Sequence, residues 1–132
     1  MKSEKILVTG DVVSYPIPYF TPPIGEHTKT LRRLAALDAA VIVPGHGPAW
    51  HDLEFLNLEA ELFESIVRQV TEAARKGLVT EEEIRKTVDV ESLRPKFSHG
   101  DPELDAKYLR YVGRMIENAC REARDGKIWT GS

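Results

Sequence analysis

The sequence predicts an α/β (α+β) fold: a small βαβ portion over residues 1–50, then a helical portion over 51–132, within one domain of 132 residues. Three observations carry this. An aliphatic run, "KILVTGDVVS" at 5–14, is followed by helical spacing over 27–38 and a second aliphatic run, "AAVIV" at 39–43. Beyond "VPGHGP" the apolar residues recur only at helical intervals.

Taken in order, residues 5–9 are rich in β-branched side chains and read as a strand, continuing through "DVVSY" past a kink at Gly10. "PIPYFTPPIG" holds four prolines in ten residues, which fix φ and predict a stiff loop. Leu31, Leu34 and Ala35 then mark one helix face, with Lys29, Arg32 and Arg33 outside it. "AAVIV" is apolar throughout and suits a strand covered on both faces of a parallel or mixed sheet. The crossover between the two strands is expected to be right-handed.

The helical portion opens with a long helix from Asp52 to Lys76, its face marked by Phe55, Leu58, Leu62, Ile66 and Val70 and its end by Gly77. Thr80 and Glu83 form a capping box for a shorter helix. Asp101 at an N-cap and Pro102 at N1 start a second long helix. Its face is Leu104, Tyr108, Val112, Met115, Ile116, Ala119 and Ala123. Two strands alone make a poor sheet with unpaired edges, so completion by a second copy, a partner or a missing portion of the gene is expected.

Composition bounds the function. A net charge of -3 with interspersed signs excludes the basic footprint of a nucleic-acid binder and a polybasic membrane tract. No window reaches the length of apolar sequence a membrane span needs, and "MKSEKILVTG" is not a signal peptide. A single cysteine, Cys120, excludes an intrachain disulfide and reads as a small apolar residue on a helix face. A cytoplasmic protein is the expectation.

Two residues carry the chemistry. Asp11 follows a strand and a glycine, at the carboxyl end where open α/β sheets place their ligand crevice. It reads either as a metal-binding carboxylate, for Zn, Mn, Fe or Mg, or as a turn aspartate. His46 stands between Gly45 and Gly47, flanked by Pro44 and Pro48, a loop that aims an imidazole and stiffens its surroundings. Its alternative is a histidine packed beneath a helix. His27 and His51 read as helix-start caps or surface residues, and His99 as part of a turn. Tyr15, Tyr19, Phe20 and Trp50 cluster near the two loops, as walls of an apolar substrate pocket or simply as core. There is no phosphate-binding glycine loop, nucleophile elbow or Cys-x-x-Cys pair. One Asp and one His are too few for a metal site from one chain, since a catalytic zinc takes three protein ligands.

"GDVVSYPIPYF", then "TLRRLAALDAAVIVPGHGP" and the tail phrases "ARKGLVTEEEIRKTVDVESLRPKF" and "DPELDAKYLRYV" resemble the C-terminal half of metallo-β-lactamase-fold metallohydrolases. The resemblance spans nearly the whole chain. It implies half of an αββα sandwich and a mono- or dinuclear metal site, usually zinc. Within it, the Asp11 position bridges two metals and the His46 position binds one. The family's H-x-H-x-D-H motif would precede residue 1 and is absent here, leaving two of the usual ligands.

Three functional expectations follow. The first is a metal-dependent hydrolase of ester- or amide-like bonds whose site is rebuilt at a homodimer interface. The second is a non-catalytic oligomeric binding protein derived from such a fragment. The third is a half that works with a separate N-terminal partner supplying the other ligands.

Overall fold

The computed structural model describes residues 6–14, 17–18, 23–37, 39, 41–46, 53–77 and 80–124. Among them the order is β1 (Ile6–Ser14), α1 (Ile24–Ala35), β2 (Val41–His46), α2 (Glu54–Arg75), α3 (Glu81–Thr87), α4 (Arg94–Ser98) and α5 (Pro102–Arg124). β1 and β2 pair in parallel, so β1–α1–β2 is the βαβ unit expected from the sequence. Every described element beyond residue 53 is helical.

The pair has one covered face and one bare face. Ile42 and Pro44 are buried on β2 and Thr9 on β1, whereas Ile6 is 67% and Val8 72% exposed. Ile6 is opposite Val41 and Val8 opposite Val43, and both partners are only half-buried. The expectation that β2 is covered on both faces is therefore not met among the described residues. α1 is the helix packed against β1, and a single crossover helix can cover only one side.

α1 begins three residues earlier than periodicity suggests because its start is capped from elsewhere. Pro23, at the N-cap, offers no side-chain cap. The Ile24 N–H instead donates to Asn118 Oδ1 at 2.9 Å, and the Gly25 N–H points to both carboxylate oxygens of Glu122 at 3.4 Å. These α5 side chains, one turn apart, satisfy two of the donors that every helix N-terminus leaves without an internal partner.

Helix α2 is the centre of the core. It packs against both α1 and α5. Leu56, Ala60, Leu62, Phe63, Ile66, Val67, Val70 and Ala73 are all buried, a stripe wider than one face because it serves two neighbours. Across from it, Tyr108, Val112, Met115, Ile116 and Ala119 of α5 are buried as their spacing predicts. Fully burying a Leu, Ile, Val, Phe or Met side chain among these contributes on the order of 2 kcal/mol.

Between α3 and α5 the chain is tied down by polar contacts. The Gln69 amide receives the Asp89 N–H at 2.7 Å and donates to the Asp89 carbonyl at 3.0 Å. The Tyr108 hydroxyl donates to the Val90 carbonyl at 2.6 Å, and burial pushes that phenol's pKa well up. The Ser92 hydroxyl and amide hold the Asp89 carboxyl below its ordinary range. α4 has no counterpart in the sequence reading, because five residues are too few to show a helical period. It is anchored by Phe97, which stacks on Tyr108 at 5.7 Å and meets Phe55 edge-on at 5.9 Å.

The capping signals were legible. Thr80 Oγ1 accepts the Glu83 N–H at 3.2 Å, and Asp101 Oδ1 accepts the Glu103 N–H at 2.8 Å. In α3 the Thr80 hydroxyl bonds the Glu83 side chain as well, at 2.8 Å.

Tyr108→Phe strips the half-buried Val90 carbonyl of its donor and is expected to cost about 1 kcal/mol in urea unfolding. Asn118→Ala should cost about 1 kcal/mol by uncapping α1. A Tyr108→Phe protein as stable as the parent would show that the carbonyl finds another donor.

Candidate functional site at the carboxyl end of the parallel strands

The two residues that the sequence singled out fall at the same end of the sheet, in strands rather than in loops. Asp11 lies inside β1, and His46 is the last residue of β2, which runs on through Pro44 and Gly45. Parallel pairing forces both carboxyl ends to one side, and neighbouring strands run about 4.8 Å apart. Gly10 is opposite Pro44, and Ser14 is opposite His46, so Asp11 sits one residue past the first pairing and three before the second.

The ladder is irregular here and nowhere else along the pair. From Ile6 to Val8 the two strands step together. Between Val8 and Ser14, β1 takes six steps while β2 takes three, from Val43 to His46, so β1 carries three extra residues around Asp11. Such bulges bend a strand and re-aim its side chains, and they concentrate beside active sites. Pro44 contributes to the irregularity, since it has no N–H for the ladder. The Thr9 hydroxyl donates to the Val43 carbonyl at 3.3 Å within the first of the two irregular steps, between Val8 and Gly10.

This arrangement supplies one carboxylate-bearing and one imidazole-bearing position on adjacent strands. Both residue types bind zinc, iron or manganese. Among the described residues, no group of three or more His, Cys, Asp or Glu side chains could hold a metal ion. Tyr15, Tyr19, Phe20 and Trp50, the expected pocket wall, and His51 lie outside the described residues. Ile17 and Pro18, within the same proline-rich segment, are buried.

The remaining histidines are placed differently from one another. His27, expected as a helix-start or surface residue, lies in the first turn of α1 at 5% exposure, with its ring edge-on to Phe63 at 4.9 Å. It is a packed core residue. His99 closes α4 in the left-handed conformation, φ 51°, and the chain turns there as expected. It is exposed on an open groove of about 750 Å³ with Glu54, Asn57, Leu58, Glu61, Pro95 and Lys96. That groove is not legible in the sequence, because the five residues of α4 are too few to show a helical period.

Two buried carboxylates were also missed. Glu59 of α2 is fully buried, and Glu122 of α5 is 7% exposed. Each falls on its helix's apolar stripe, Glu59 in step with Phe55, Leu62 and Ile66, Glu122 in step with Met115 and Ala119. A charged residue in phase with an apolar face is the signal that would have found them. On the surface, Arg32 of α1 pairs with Glu64 of α2, and that hydrogen bond raises the guanidinium's pKa. As an exposed pair it contributes little to stability.

Comparison with known proteins adds no relative: no family model, no curated protein and no solved structure matches the chain.

Cys120 is buried, and desolvation pushes its thiol pKa up, which makes it a poor nucleophile. A disulfide reagent should therefore react with the native protein only at the rate at which the fold opens, and at once in denaturant. Fast labelling of the native protein would mean that α5 does not pack as described.

Proposed function

We propose that this chain is a metallo-β-lactamase-fold-like protein whose Asp11 and His46 help hold a divalent metal, zinc before iron or manganese, for hydrolysis of ester- or amide-like bonds. The observation that carries the reading is the bulged carboxyl end of β1, which brings Asp11 beside the end of β2 that bears His46. A bound metal would supply a water of lowered pKa as nucleophile. The chain's own contribution is to fix one carboxylate and one imidazole on a stiff, paired backbone.

Two donors from one chain fall short of the three that a catalytic zinc takes. A two-fold dimer would double them, because an isologous interface presents the same residues twice. The bare face of the β1–β2 pair, with Ile6 and Val8 exposed, supports burial of the sheet against a second copy. The same shortage of donors favours a second reading, a non-catalytic oligomeric binding protein, and leaves room for a separate N-terminal half as partner. No helix among the described residues is long and apolar enough to cross a membrane. A cytoplasmic location without nucleic-acid partners is part of the proposal.

Elemental mass spectrometry on protein whose mass is fixed by light scattering tests the reading. The expected outcome is about one metal per dimer, lost in Asp11→Ala and His46→Ala while the fold persists. A metal-free oligomer unchanged by either substitution would support the binding reading instead. Copurification with a second chain bearing H-x-H-x-D-H would support the two-part enzyme. Independently, Val8→Lys should shift the oligomer toward monomer without lowering helix content, since it places a charge on the bare sheet face.

A further inference from the structure

We draw no further inference here: the strongest candidate, the open groove between α2 and α4 that carries Glu54, Glu61, Lys96 and His99, has exposed side chains of both charge signs on its walls, and nothing in the structure shows what fills it.

Discussion

Parallel pairing of β1 with β2 is the constraint from which the rest of the structure follows. Parallel strands cannot be joined by a tight turn, so the chain must cross over, and α1 is that crossover. A crossover helix covers one face of the sheet and exposes its own outer side, which then needs a cover of its own. α2 provides it, and α5 closes over both, so that each layer exists because the previous one left an apolar face uncovered. The same pairing places the carboxyl ends of both strands on one side, which is why Asp11 and His46 lie towards the same end of the sheet although 35 positions separate them in the sequence.

The fastening between the layers is mixed in character. α2 meets its neighbours through aliphatic and aromatic burial, a non-directional force that tolerates small shifts. α1 meets α5 partly through Asn118 and Glu122, whose hydrogen bonds to Ile24 and Gly25 demand one geometry. The loop over residues 88–93 is likewise set by direction, through Gln69 and Tyr108. Directional contacts thus sit where the chain has no regular structure or where a helix must start without its own cap.

The bare face of the strand pair contrasts with the closely covered helices. Among the described residues Ile6 and Val8 are the most exposed large hydrophobic side chains, while the two long helices bury most of their apolar stripes. A β-branched strand face left open is a surface that gains by being covered. The bulges in β1 beyond Val8 act in the other direction along the edge, because an irregular strand is a poor template for adding another. Face and edge therefore differ in what they offer a partner.

By itself the sequence determined the elements whose signals are local. The periods of α2 and α5, the capping residues Thr80 and Asp101, and the strand–helix–strand order were all readable, because each rests on neighbours within a turn or two. It also pointed to Asp11 and His46 as one carboxylate and one imidazole at strand ends, and the strands run further than their β-branched cores, so both residues lie inside the pairing. Tertiary structure alone decided what depends on distant partners. α1 starts at Ile24 because of side chains 94 and 97 positions away, His27 is core because Phe63 meets it, and α4 forms because Phe97 has Tyr108 and Phe55 to pack on. Local spacing encodes which face of an element is apolar, but what that face meets is set only once the chain has closed on itself.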